Sequence, residues 1–412
     1  VNALPMTVTG DNVEEILIFL IDISIFKKSD RDLHAMLQKS ESIILAKNDF
    51  FANLSHEIRN PINGIIGISE LLINSTVNDF QLQYLNIIKD SSLNLIYLIN
   101  SILDYSKIEA GKIELVFEPF YPENLLNSLS MLFTQMCEKK GIGFYLSIDS
   151  SAYLQLVSDE IRIRQLLINI VGNAIRLTET GHVAVFISTK AIKDNVWLEM
   201  SVSDTGIGIP PDKVDAVFDS FVQLNSGSTN NQLETGLGLS VCKNIVEILK
   251  GSITVKSQVG VGSVFSVEIP VELEESKNSE ISYPKYGSLN ILLVVLNEIE
   301  RDLIKKMLLG LEVSVRDCEN GIEALQIITD MYEQKKTFDY VFVDYLIDGI
   351  TCLDVIKTIE VKQKQTSVVL FSNPLDFENA QKMKSLPSVR QVIAKPVLPS
   401  ALVKVLQLNK GA

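Results

Sequence analysis

The sequence predicts a multidomain chain: a helical hairpin forming a dimeric four-helix bundle, then an α+β sandwich, then a doubly wound α/β unit. Three observations predict it. At 412 residues the chain is too long for one hydrophobic core. Leu37, Ile44 and Phe51 recur every seven residues, and a second stripe runs through Tyr84, Ile88, Ser91, Leu95, Leu98, Ile102 and Tyr105 at alternating spacings of four and three. That is the pattern of helices that bury a shared seam. Beyond Asn290, apolar β-branched runs alternate with helical segments, as in a parallel sheet covered on both faces.

The elements follow in order. Within residues 1–26 a turn at Gly10, Asp11 and Asn12 precedes a β-favouring run that ends in LIDIS. Residues 27–112 hold the coiled coil and the hairpin. Pro61, inside the helical pattern, removes one backbone donor and is expected to bend the helix just after His56. NSTVND (Asn74 to Asp79) is the expected loop of the hairpin, and two hairpins would close a four-helix bundle, so a homodimer is implied. Residues 113–273 mix helical and alternating segments without a βαβ rhythm. Residues 274–288 are polar and rich in breakers, a linker. In 289–412 the strands NILLVVL, LEVSVRD, FDYVFVDYL, SVVLFSN and QVIAKP are separated by helices.

Composition narrows the functions. Hydrophobic residues make up 46% and charged residues 21%, ordinary for folded domains. A net charge of -14 argues against direct nucleic-acid binding, which needs clustered Lys and Arg. The four cysteines are scattered without a CxxC pair, so neither zinc nor a disulfide framework is indicated. The apolar run Ile16 to Phe26 is too short to span a bilayer and contains Asp22. The expectation is a cytoplasmic chain with no membrane segment, a membrane anchor elsewhere in the parent protein remaining open.

Of the three histidines, only His56 is followed by Glu, with Arg and Asn close behind. An imidazole attacks phosphorus through an unprotonated nitrogen, and Glu57 can hold the proton on the other. Asn60, one turn on, can orient a water for the reverse, hydrolytic reaction. A His–Glu pair alone is more often a solvated coiled-coil histidine beside ordinary surface charges. The full run FFANLSHEIRNPINGIIGISELL (Phe50 to Leu72) resembles the phosphoacceptor box of histidine kinases, and ILDYSKIEAGKIEL (Ile102 to Leu115) resembles the end of that domain's second helix in hybrid kinases. The resemblance implies phosphorylation of His56, with Glu57 as base and Asn60 serving phosphatase activity.

A phosphoryl donor site is expected downstream. Asn169 and Asn173 lie four apart on one helix face with Arg176 nearby. Their amide oxygens suit Mg²⁺ and the guanidinium suits phosphate, although two asparagines on a helix, taken alone, are more often surface or capping residues. VSDTGIGIP (Val202 to Pro210) sets Asp204 at a strand end before Gly206 and Gly208, a carboxylate able to accept from an exocyclic amine. Thr235, Gly236, Leu237 and Gly238 form a turn opening a helix, where free N–H groups favour phosphate. With VFDSFVQ and SQVGVGSVF, these boxes resemble the ATP-binding domain of histidine kinases from Ser158 to Pro270. The resemblance implies ATP with Mg²⁺, Asp204 on adenine, Asn173 and Asn169 at the metal, and a lid over residues 225–234. One departure is that Leu233 and Glu234 replace the family's usual glycines.

From Asn290 to about Leu408 the chain resembles a response-regulator receiver. Asp344 matches the phosphoacceptor, Ser372 the hydroxyl switch residue and Lys395 the phosphate-binding lysine. The acidic pair that holds Mg²⁺ in the family is replaced by Val295 and Leu296, and Ile347, Asp348, Ile350 and Thr351 also depart from the pattern. Glu298 and Asp348 are the carboxylates able to substitute; the expectation is a pseudo-receiver that regulates rather than accepts phosphate. Asp22-Ile23-Ser24 resembles the exit of a PAS sensor. Taken together the resemblance is to a hybrid sensor histidine kinase, implying a separate response regulator or phosphotransfer protein as phosphate acceptor. A signalling scaffold and a phosphatase acting through Asn60 are the rival readings.

Overall fold

The computed structural model describes residues 2–9, 12–19, 58–73, 75, 78, most of 80–92, 95, 99 and 115–407, apart from 193–194, 220–221, 223–237, 275–285 and 288. The chain divides into two units, Val1–Ile113 and Glu114–Ala412.

In the first unit, β1 (Asn2–Thr9) pairs antiparallel with β2 (Asn12–Phe19), and Thr9 opposes Asn12 where the sequence places its turn. Helix α1 covers residues 58–73, running through Pro61; α2 is helical at every described position from 80 to 99. The loop between them ends in a reciprocal cap. Asn78 Oδ1 accepts from the Gln81 N–H at 2.9 Å, and Gln81 Oε1 accepts from the Asn78 N–H at 3.0 Å. The hairpin buries Ile62, Ser69 and Ser92 and is tied by Lys89 and Glu70 at 2.8 Å. Ile65, Ile68, Leu72, Tyr84, Ile88 and Leu95 remain exposed in the single chain. The coiled coil, the 20–26 segment and the bend expected after His56 lie outside the described residues.

The second unit holds two sheets. The first has β3 (Glu118–Phe120), β4 (Gly143–Ile148), β5 (Leu156–Ser158), β6 (His182–Ile192), β7 (Asn195–Asp204), β8 (Ser252–Gln258) and β9 (Gly262–Leu273). Its order is β3-β5-β9-β7-β6-β4, with β8 added on β9. Helices α3 (Pro122–Lys140), α4 (Glu160–Leu177) and α5 (Gly238–Ile248) belong to the same layer pair. Burial alternates along the central strands, with Val183, Val185 and Ile187 on β6 buried together with Leu198, Met200 and Val202 on β7. That is a sheet packed on one face, here beneath Leu166, Leu167 and Ile170 of α4. It is the α+β sandwich expected.

The second sheet is parallel, in the order β11-β10-β12-β13-β14. Its elements alternate: β10 (Asn290–Val294), α6 (Glu298–Gly310), β11 (Ser314–Cys318), α7 (Gly321–Glu333), β12 (Tyr340–Asp344), α8 (Cys352–Lys362), β13 (Ser367–Ser372), α9 (Phe377–Lys382), β14 (Val389–Ala394) and α10 (Pro399–Gln407). Ile291 and Leu293 enter one core while Leu292 and Val294 enter the other, so an unbroken apolar run serves both faces. The strand order reverses between β10 and β12, and a crevice at their carboxyl ends is the place where such sheets bind ligands.

Two expected boundaries shift. The run NILLVVL leaves the strand at Val294: the Val295 N–H still bonds Cys318 O, but Leu296 is half exposed at the loop. The stretch expected to be all linker, 274–288, ends inside the receiver-like fold, because Tyr286 is buried and its N–H bonds Leu311 O.

Candidate functional site

Asn60 stands exposed in the first described turn of α1. His56 and Glu57 lie outside the described residues, as do Thr235, Gly236, Leu237, Leu233, Glu234 and the expected lid.

The nucleotide candidates converge on α4. Asp204 closes β7, where its Oδ1 accepts from the Gly206 N–H at 2.9 Å. Burial raises its pKa, and N–H bonds from Gly206 and Ser263 hold the shift back. Gly206 backs onto the end of α4: a Cβ there would stand 2.7 Å from Leu177 O. Gly208 has φ +70 and sits so close to β8 that a Cβ would meet Gln258 O at 2.1 Å. On α4, Asn169 is buried and its Nδ2 reaches Gly238 O at 3.5 Å, linking the helix to the first residue of α5. One turn on, Arg176 Nη2 donates to Asn173 Oδ1 at 3.1 Å. The described parts of all three sequence boxes therefore meet around one helix. An amide oxygen has two lone pairs, so Asn173 can accept from Arg176 and still face a cation. The donor set is all oxygen and amide with one guanidinium, which suits Mg²⁺ and a triphosphate.

Sequence reasoning gave no role to Ser257 and Ser263. Ser257 Oγ accepts from the Ile209 N–H at 2.7 Å, donates to Gly262 O at 2.9 Å and lies 2.9 Å from Ser263 Oγ. The two hydroxyls sew the Asp204–Pro210 loop to the β8–β9 turn. Their signal was the SQVGVGSVF box itself.

In the receiver-like fold Asp344 ends β12 at the switch point, buried, in a small cleft with Leu346, Ser372, Asn373, Asp376 and Lys395. Lys395 Nζ lies 2.8 Å from Asp344 Oδ1 and 2.7 Å from Glu300 Oε2. Burial lifts the Asp344 carboxyl from 3.8 to about 6, with Lys395 opposing and Glu300 reinforcing the rise. Burial alone would lower Lys395, but the two carboxylates outweigh it and raise it. Ser372 Oγ donates to Asn373 O at 3.0 Å within its own loop. Val295, where the resemblance expects a metal carboxylate, is fully buried in the apolar core. Of the two carboxylates expected as substitute metal ligands, Asp348 Oδ1 accepts from the Gly349 N–H, and Glu298 opens α6. The carboxylate beside Asp344 on Lys395 is Glu300, which the sequence reading passed over. Among the described residues no cluster of three or more acidic, His or Cys side chains can hold a metal.

All four cysteines are buried and unbridged, with thiols pushed up by burial to about 11 (Cys137, Cys352) or about 12 (Cys242, Cys318), so they stay protonated near neutrality.

Sequence families divide the chain at the same places. Residues 46–111 match the His Kinase A (phospho-acceptor) domain, 158–273 the Histidine kinase-, DNA gyrase B-, and HSP90-like ATPase family, and 291–407 the Response regulator receiver domain. Phosphoacceptor helices, ATP-binding sandwich and receiver in this order define a hybrid histidine kinase of two-component signalling, and the chain belongs to that class. Among individual relatives, it is 29% identical over 411 residues to the autoinducer 2 sensor kinase/phosphatase LuxQ of Vibrio parahaemolyticus, covering 97% of this chain and 47% of the relative. It is 31% identical to the sensory/regulatory protein RpfC of Xanthomonas campestris, covering 88% of this chain and 54% of that protein. The chain thus spans about half the length of these curated relatives. The crystal structure of full-length ShkA in complex with AMPPNP superposes with a TM-score of 0.66 at 25% identity, over 88% of this chain and 73% of that one. Among the described residues no helix is long and apolar enough to cross a membrane.

Proposed function

We propose that this chain transfers the γ-phosphoryl group of ATP to a nitrogen of His56, with Glu57 as the base and placement in line supplying most of the acceleration. The observation that carries the reading is the phosphoacceptor segment followed by an ATP-binding fold in which Asp204 and Gly206 lie beside the end of α4, the helix that carries Asn169 and Asn173. In it Asp204 receives the adenine amine, Arg176 faces phosphate charge, and Thr235, Gly236, Leu237 and Gly238 form the phosphate turn. Mg²⁺, when bound by Asn173 and Asn169 with the triphosphate, supplies charge neutralisation. The chain works as a cytoplasmic homodimer, residues 1–26 being the end of a PAS-like sensor. The phosphate passes to an aspartate on a separate response regulator or phosphotransfer protein. Asp344 does not receive it, since Val295 and Leu296 bring no metal ligand; residues 289–412 regulate instead.

Labelling with ATP tests this. The phosphate is expected to be acid-labile and alkali-stable, and absent in His56→Gln; no label in the native chain would leave only a signalling scaffold. Phosphate found on Asp344 would overturn the regulatory reading. A phosphatase role for Asn60 has separate support, because relatives named kinase/phosphatase align over nearly the whole chain and Asn60 is exposed. In Asn60→Ala, dephosphorylation is lost and labelling retained.

A further inference from the structure

The receiver-like fold meets the ATP-binding fold through its pocket face. Glu123, in the first turn of α3, accepts a hydrogen bond from the Ser400 N–H in the first turn of α10 at 2.9 Å, a carboxylate on the positive end of a helix. Gly310, ending α6, lies against Ser150, where an added Cβ would stand 3.3 Å from the serine Cβ. Between these points α6 packs along β4, the edge strand of the ATP-binding sheet. There Tyr145 lies close to the Asn297 side chain and within range of the charges on Glu300 and Lys395. Asn297 also caps α6, its Oδ1 accepting from the Glu300 N–H at 3.0 Å. Glu300 Oε2 and Asp344 Oδ1 then share Lys395 at 2.7 and 2.8 Å. One chain of contacts leads from the edge strand to Asp344.

Lys395 is the pocket's cation, and an ammonium with three donors is a point-charge ligand for phosphate. Here two carboxylates hold it already. An arriving phosphate would have to approach two negative groups with one positive charge between them.

We propose that Glu300 is the resident anion of the receiver-like pocket, standing on Lys395 in place of a phosphoryl oxygen, and that through Asn297 and Tyr145 it clamps the pocket rim onto β4. This deepens the regulatory reading of residues 289–412 and rests on that reading only for its effect on labelling.

Amide hydrogen exchange on the full chain tests it. In Glu300→Ala the amides of Gly143–Ile148 are expected to exchange several-fold faster while β10 and β12 keep their protection, and millimolar inorganic phosphate restores slow exchange by replacing the lost carboxylate. Unchanged exchange in β4 overturns the clamp; faster exchange that phosphate does not reverse overturns the resident anion. If β10 and β12 also lose protection, Glu300→Gln, which keeps the shape and removes the charge, is read by the same criterion for β4. Faster β4 exchange with unaltered His56 labelling leaves the clamp standing and overturns the regulatory reading alone.

Discussion

Gly208 carries a backbone requirement that no other residue type meets. Its φ of +70 is left-handed, and a Cβ would collide with Gln258 O at 2.1 Å, so both the conformation and the space exclude a side chain. Gly208→Ala is expected to destabilise the ATP-binding fold by about 2–4 kcal/mol, seen as an earlier loss of near-ultraviolet circular dichroism on heating. Asp344 makes a prediction of a different kind. Its folded pKa of about 6 stands above the ordinary 3.8. The folded chain therefore binds more protons than the unfolded chain between these values, and the contribution of Asp344 to stability falls as pH rises through that interval. The carboxyl-carbon chemical shift of Asp344 should titrate near 6, and a midpoint near 4 would contradict the burial. Residues such as Asp204, Gly206 and Asn169 were legible in the sequence because their chemistry is local: a carboxylate before a glycine turn, amides one turn apart. Glu300 was not. Only the reach of Lys395 across from the end of β14 gives it a partner, and that reach is tertiary.

At the scale of elements, the loop after Asp344 departs from the receiver pattern yet is built firmly. Ile347 and Ile350 cover Gly321 at the start of α7, where a Cβ would meet Ile350 Cγ1 at 2.3 Å. Thr351 then starts α8 with a reciprocal capping box: it accepts from the Asp354 N–H while Asp354 accepts from the Thr351 N–H at 3.1 Å. The Thr351 hydroxyl, donating to Asp354 Oδ2 at 2.6 Å, and then the Thr351 N–H hold the Asp354 pKa below its usual value. Thr351→Ala should cost about 1 kcal/mol, measured as a lower denaturation midpoint with unchanged slope in the receiver-like transition. The strand periods and the hairpin were legible because burial imposes periods of two and 3.6 on side chains. The end of β10 was not, since Val295 is as apolar as the strand before it and packs into the same core after the ladder has ended. Tyr286 escaped for a related reason: one aromatic in a polar stretch does not show which core it will enter.

For the whole molecule the question is what residues 289–412 do to phosphoryl transfer. The apolar seam left open by α1 and α2, with Leu72, Tyr84 and Leu95 among its residues, agrees with a bundle completed by a second copy. The receiver-like fold touches the ATP-binding fold, through Glu123, Ser150 and the β4 edge. Its influence should therefore fall on the donor side of the reaction. An edge strand relieved of its cover gains freedom to fluctuate, and a domain relieved of a docked neighbour gains freedom to reorient. Removing residues 289–412 is thus expected to change the initial rate of His56 labelling by more than about threefold, a coupling of roughly 0.7 kcal/mol or more. Affinity for ATP should change little, because Asp204, Asn169 and Asn173 belong wholly to the ATP-binding fold. Equal labelling rates with and without the segment would show that its contacts serve stability alone, whereas a loss of ATP affinity would move its influence to the nucleotide pocket itself.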